Sequence, residues 1–125
     1  TASRVFPPAK LTEHHGRPAE VLNSIVCSGA IVSGARVAEA VVSPGAMVGG
    51  QADVERAVLL DDVQVGEGAV LRNVILDKNV VVPPGLEIGV DHAADIDRFA
   101  TRDNCRVTES GIVVVGKNDD LTDLA

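Results

Sequence analysis

From Ile25 to Ile88 the chain reads IVCSGAIVSGARVAEAVVSPGAMVGGQADVERAVLLDDVQVGEGAVLRNVILDKNVVVPPGLEI. Set out in rungs of 17 residues, the first rung carries aliphatics at Ile25, Ile31 and Val37, and the second at Val42, Val48 and Val54. The third carries Leu59, Val65 and Leu71, and the fourth Leu76, Val82 and Ile88. The steps within a rung are six and six, with five to the next, and all twelve positions are Ile, Leu or Val. A step of six taken three times per turn is the hexapeptide pattern of a parallel β-helix. Each hexapeptide supplies one short strand and one corner, so three make a triangular coil. Successive coils pair at the strand spacing of about 4.8 Å.

This spacing predicts an all-β fold of about four coils over residues 25–92, with the twelve aliphatics pointing inward in three columns. Burial of each side chain contributes roughly 1.5–3 kcal/mol. Corners need residues that accept tight backbone, and one corner column reads Gly34, Gln51, Gly68, Gly85, beside Ala35, Ala52, Ala69 and Leu86. A prism this narrow has no room for rings, and the only aromatics are Phe6 and Phe99. An ordinary β-sandwich would alternate with period two between turns every 8–12 residues, which does not produce a 17-residue register.

Outside the coils the register fails. Pro8, His14 and Glu20 fall where core aliphatics would stand, so residues 1–24 read as an entry segment, extended over Val5 to Leu11 and looped over Glu13 to Gly16. Ala93 to Ala100 fits a short helix with Ile96, Phe99 and Ala100 on one face, able to cap the open prism. Ile112 to Val115 reads as a strand, and Asn118 to Ala125 as an acidic, frayed tail within the closing region 93–125. The first residue is Thr1 rather than Met, which is read as a fragment or a processed product.

Composition narrows the function. The chain has 125 residues, one domain or less, and a formal net charge of −7, which argues against nucleic acid or an anionic membrane as partner. No apolar run approaches a membrane span, and no basic n-region with an apolar stretch reads as a signal peptide. Cys27 and Cys105 fit no metal spacing and read as free thiols of a reducing compartment, so a cytoplasmic location is expected. A hexapeptide acyltransferase needs a histidine base between rungs, and a γ-type carbonic anhydrase needs three zinc-binding histidines. His14, His15 and His92 all lie outside the regular coils. The paired carboxylates Asp61 with Asp62 and Asp95 with Asp97 read as solvated turn and helix residues. The chain thus carries no catalytic residues and no metal ligands of its own, and reads as a scaffold or interaction module.

The run Asn23-Ser-Ile-Val-Cys-Ser-Gly-Ala-Ile-Val-Ser-Gly34 resembles the first coil of the C-terminal domain of the ADP-glucose pyrophosphorylases, or glucose-1-phosphate adenylyltransferases. So does Leu71-Arg-Asn-Val-Ile-Leu-Asp-Lys-Asn-Val-Val-Val-Pro-Pro-Gly-Leu-Glu-Ile-Gly89. Pro8-Ala9-Lys10 is similar to that family's entry segment, and Asp95 to Phe99 with Gly111 to Val115 to its closing helix and strand. The bacterial, glycogen-forming branch is the most similar. The resemblance implies a left-handed β-helix, an exception to the right-handed crossover rule. It also implies an N-terminal Rossmann-like catalytic domain preceding Thr1, which binds ATP and glucose 1-phosphate and makes ADP-glucose with Mg²⁺. The chain alone would be inactive. Its partners would be that domain, other subunits of a homotetramer, and phosphorylated metabolites and AMP at allosteric sites.

The resemblance carries effector binding onto Lys78, which follows the Asp of Ile-Leu-Asp-Lys, and Lys117, two positions past the closing strand, with Arg72 and Arg98 as neighbours. Each would meet phosphate, lysine as a compact charge and arginine as a fork. Two stretches depart from the family pattern: Arg102 to Arg106 looks inserted, and the tail after Lys117 is acidic where further basic residues are usual. Two other readings remain open, a free-standing β-helix that binds or assembles a partner and a small acyltransferase.

Overall fold

The computed structural model describes residues 5–125; Thr1 to Arg4, the first part of the entry segment, lie outside the described residues. The chain winds into a triangular prism of stacked parallel coils. Strands β4 (Ile31–Ser33), β5 (Arg36–Ala38) and β6 (Val41–Val42) form the first complete coil, on which an incomplete one lies. That incomplete coil is built from β1 (Lys10–Thr12), β2 (Glu20–Leu22) and β3 (Ile25–Val26), which pair in parallel with β4, β5 and β6. The entry segment therefore supplies strands to the prism rather than merely leading into it. Its register is hidden in the sequence because a hairpin closed by His14 and Arg17 bulges out between β1 and β2.

The second coil contains β7 (Met47–Val48) and the long β8 (Asp53–Leu59), and the third β9 (Gln64–Val65) and β10 (Val70–Leu76). The fourth contains β11 (Val81–Val82) and β12 (Glu87–Ile88). Strands β8 and β10 run in register from Asp53 with Val70 to Leu59 with Leu76, an offset of 17 residues.

Ten of the twelve predicted inward positions are buried, from Val37 to Ile88. Ile25 and Ile31 are not: Ile25 is 63% exposed and Ile31 half-buried, whereas Val32 is fully buried and Val26 packs against the core. The register explains the correction. Val26 pairs with Val42 and Val32 with Val48, 16 residues apart, but Val37 pairs with Val54, 17 apart. The corner between Val32 and Val37 is one residue shorter than the later ones, and a one-residue slip turns each strand residue to the opposite face.

The corners recur as columns of left-handed backbone. Gly34, Gln51, Gly68 and Gly85 have φ of 58°, 61°, 70° and 74°. Gly29, Gly45, Asp62 and Asn79 form a second column, and Asn23, Glu39, Arg56 and Asn73 a third. After each, a small or aliphatic residue turns inward; Ala35, Ala52 and Ala69 are fully buried. Non-glycine residues with positive φ are uncommon, and Asn and Asp tolerate the region best because their side chains bond locally.

The closing region seals the far end. Helix α1 (His92–Phe99) is capped by Asp91, whose carboxylate accepts from the Ala94 amide at 3.2 Å. Its buried residues are Phe99 and Asp95; Ile96 and Ala100 face outward, contrary to the expected stripe. Asp95 is not solvated either. It is 1% exposed and accepts the Gly89 amide at 3.0 Å and Arg98 at 3.0 Å, which is how a carboxylate is kept inside. Strand β13 (Cys105–Val107) then pairs antiparallel with β14 (Val113–Val115), and β14 lies parallel on β10. The tail is not frayed. Val81 donates to Asp119 at 3.0 Å, and a 3₁₀ turn over Leu121–Leu124 buries Leu121 completely.

Candidate anion-binding corner

The pairing of β10 with β14 sets Leu76 against Val115, and the chain continues in register round the next corner. The Asp77 amide donates to Val115, and the Asn118 amide to Lys78. Lys78 and Lys117 therefore occupy the same corner position in adjacent layers, their backbones about 4.8 Å apart. Asn79 and Asn118 take the left-handed position after them, with φ of 61° and 64°, and the Asn79 side-chain amide donates to the Asn118 side-chain oxygen Oδ1 at 3.1 Å. The Asp77 carboxylate accepts the Lys78 amide at 2.7 Å and fixes the start of the turn.

Both lysines are exposed, and neither makes an ion pair among the described residues. Like charges on neighbouring strands repel. Two exposed lysines in the same column of adjacent layers put positive charge side by side at this corner.

Arg72 and Arg98 are not brought to this corner. Arg72 lies mid-strand on β10, where it bonds Asp53 through both carboxylate and carbonyl at 3.1 and 3.0 Å. It belongs to a ladder across one prism face in which Arg36 reaches Asp53 at 3.0 Å and Glu55 at 3.1 Å. Burial alone would push the Asp53 carboxyl up, but hydrogen bonds from Arg72 and Arg36 outweigh it and hold it below the usual carboxylate range. Arg98 packs over Phe99 and donates to Asp95 and to the Glu87 carbonyl at 2.6 Å, tying helix α1 to the fourth coil.

The sequence reading missed Arg102. Its two Nη atoms reach Asp119 at 2.6 Å and Asp123 at 2.8 Å, just past Lys117. Cys105 donates to the other Asp119 oxygen at 3.2 Å; burial first and this bond second push its thiol up to about 11. The alternation of acids after Lys117 with an arginine before β13 was the available signal, and it gives no distance.

Away from this corner, His14 sits against Gly34 and Gly50 and pairs with Glu67 at 3.2 Å, its ring edge-on to His15. Among the described residues no group of three or more His, Cys, Asp or Glu could hold a metal ion, and no helix is long and apolar enough to cross a membrane.

The sequence pattern of the family described as GlmU-like, C-terminal hexapeptide matches residues 7–115. The chain belongs to this family. Its coils are those of a left-handed parallel β-helix. It is also similar to three bacterial proteins named glucose-1-phosphate adenylyltransferase. Identity is 44% over 119 residues with that of Deinococcus deserti and 45% over 118 with that of Deinococcus radiodurans. With that of Thermus thermophilus it is 50% over 118 residues. Each similarity covers 94% of this chain but 27–28% of the relative, so the chain spans little more than a quarter of those proteins.

Proposed function

We propose that this chain is the C-terminal regulatory and assembly domain of a glucose-1-phosphate adenylyltransferase, the enzyme that joins ATP and glucose 1-phosphate to give ADP-glucose and pyrophosphate. Catalysis, with its Mg²⁺, belongs to a separate nucleotide-binding domain of the same polypeptide. The single observation that carries the regulatory role is the stacking of Lys78 on Lys117, exposed and without an ion-pair partner among the described residues, at one corner of the prism. Such a pair binds phosphorylated metabolites through charge-assisted bonds, and AMP competes there through its phosphate.

The assembly role rests on a prism face that points outward. Ile25, Val41, Val58, Ile75 and Val114 stand opposite one another on five successive parallel strands. Ile25 and Ile75 are exposed and the other three half-buried. A flat aliphatic ladder on a sheet face is suited to burial against another subunit or against the catalytic domain.

The test is ADP-glucose synthesis by the complete product of the gene encoding this chain, with and without fructose phosphates and AMP. Effector-dependent synthesis that loses its response in Lys78→Ala and Lys117→Ala, with basal turnover retained, supports the reading. Unchanged effector curves in both variants remove the lysine corner from regulation. A gene product without nucleotidyltransferase activity leaves a β-helix whose role is binding or assembly.

A further inference from the structure

The two stretches in which this sequence departs from the pattern it resembles, Arg102 to Arg106 and the acidic tail, meet in space. Asp119, Asp120 and Asp123 follow Lys117 within six residues. Carboxylates this near in sequence, if released toward the corner, would offset the lysine charge and repel an incoming anion within the screening length of about 8 Å at physiological salt. Each is engaged elsewhere. Arg102 holds Asp119 at 2.6 Å and Asp123 at 2.8 Å, and the Cys105 thiol occupies the second Asp119 oxygen. Asp120 turns back to accept from the Thr122 amide at 2.9 Å and from its hydroxyl. Arg102 and Asp119 are 21% and 14% exposed, enough shielding for the pair to persist where a fully solvated one would come and go. The Arg102 Nε is buried without a partner, so the guanidinium is oriented for the two carboxylates at the expense of one donor. The remaining acids near the corner are Asp77, bonded to the Lys78 amide, Asp61, which precedes Lys78 in the same column one coil earlier, and Asp62 beside it.

We infer that Arg102 is a positioning residue for the lysine corner: by holding Asp119 and Asp123 it keeps Lys78 and Lys117 free for a phosphate-bearing anion. The inference rests on the effector reading above. It accounts for the coexistence of an acidic tail and an anion site, since the arginine reduces the charge of its two partners from −2 to −1 and fixes where that charge sits.

The experiment titrates the chain Thr1–Ala125 with inorganic pyrophosphate at constant ionic strength, following the backbone amide signals of Lys78, Asn79, Lys117 and Asn118. Lys78→Ala and Lys117→Ala test the site itself and should each weaken binding. Arg102→Gln should weaken it by about twofold for each unit of charge on the anion, the effect of one unit charge at roughly 8 Å in water, and Arg102→Lys by less. Adding Asp119→Asn and Asp123→Asn to Arg102→Gln should restore wild-type affinity, which a purely structural staple would not do. Should Arg102→Gln fail to fold, Asp119→Asn with Asp123→Asn beside the native arginine should bind pyrophosphate at least as tightly as wild type; weaker binding there would overturn the inference. Lysine variants that weaken binding while Arg102→Gln does not would refute the role of Arg102 alone. Lysine variants without effect would refute the effector site, and the inference with it.

Discussion

At the N-terminal end of the prism β1, β2 and β3 have strand partners on one side only among the described residues, and Leu11, which points inward, is 54% exposed. At the C-terminal end Phe99 and Leu121 are fully buried beneath α1, the β13–β14 hairpin and the 3₁₀ turn. The first end is an incomplete coil left open, and the second is closed by segments that leave the coil path. A regular coil cannot end itself, because each strand offers unpaired amides and carbonyls to the next. Closing it takes a segment that leaves the six-residue step, and here that segment also carries Lys117, Arg102 and the acids around them. The sealed end therefore holds the side chains on which the proposed effector corner depends.

The largest expected effect lies between the ends. Val65 is 4% exposed in the middle of a column, and Val65→Asp buries an unpaired carboxylate at a cost of several kcal/mol. The fold should be lost; a soluble variant with unchanged β-type circular dichroism would show that this column does not face the core. Truncating the plug separates the two ends. Phe99→Ala should cost about 3–5 kcal/mol in denaturant unfolding, whereas Leu11→Ala at the open end should cost about 1 kcal/mol or less. Equal costs would mean that both ends are covered alike.

Smaller effects should appear with pH. Asp53 has a folded-state pKa below its unfolded value because Arg72 and Arg36 outweigh burial, so its stabilisation is present above the unfolded value and lost as pH falls through the folded one. The acid limb of the stability curve should flatten in Arg36→Met. Cys105, raised from 9.0 to about 11, behaves in the opposite sense: its contribution is full below pH 9.0 and is lost as pH rises through about 11. Alkali should therefore loosen the sealed end first, seen as earlier amide exchange in β13 and β14 than in β8, and Cys105→Ser should remove that difference. The smallest effect is expected for Lys78→Ala, an exposed corner substitution, within about 0.5 kcal/mol of wild type. A larger loss would make the lysine part of the scaffold.

The coils were legible in the chain because their cause is local and repeated. A prism a few side chains wide accepts only aliphatics on its inner columns and small or left-handed residues at its corners, so the period is written at every turn. Ile25 and Ile31 show the limit: one short corner shifts the inward face by a residue, and both neighbours, Val26 and Val32, satisfy an aliphatic pattern equally well. Asp95 shows another, since nothing in Ala-Asp-Ile-Asp-Arg separates the buried acid from the exposed one; its partner Gly89 lies six residues away, just past β12. The corner itself was half legible. Lys78 and Lys117 are separately visible, but their stacking depends on β14 returning to the third coil, 39 residues later. The pairing of Arg102 with Asp119 and Asp123 depends on the same return. By itself the sequence determined the repeat, its narrow aliphatic core and the places where it stops. Tertiary structure alone decided the bulged entry coil, the sealed end and which charges meet there, because a segment without the repeat has no register until it docks on the coils.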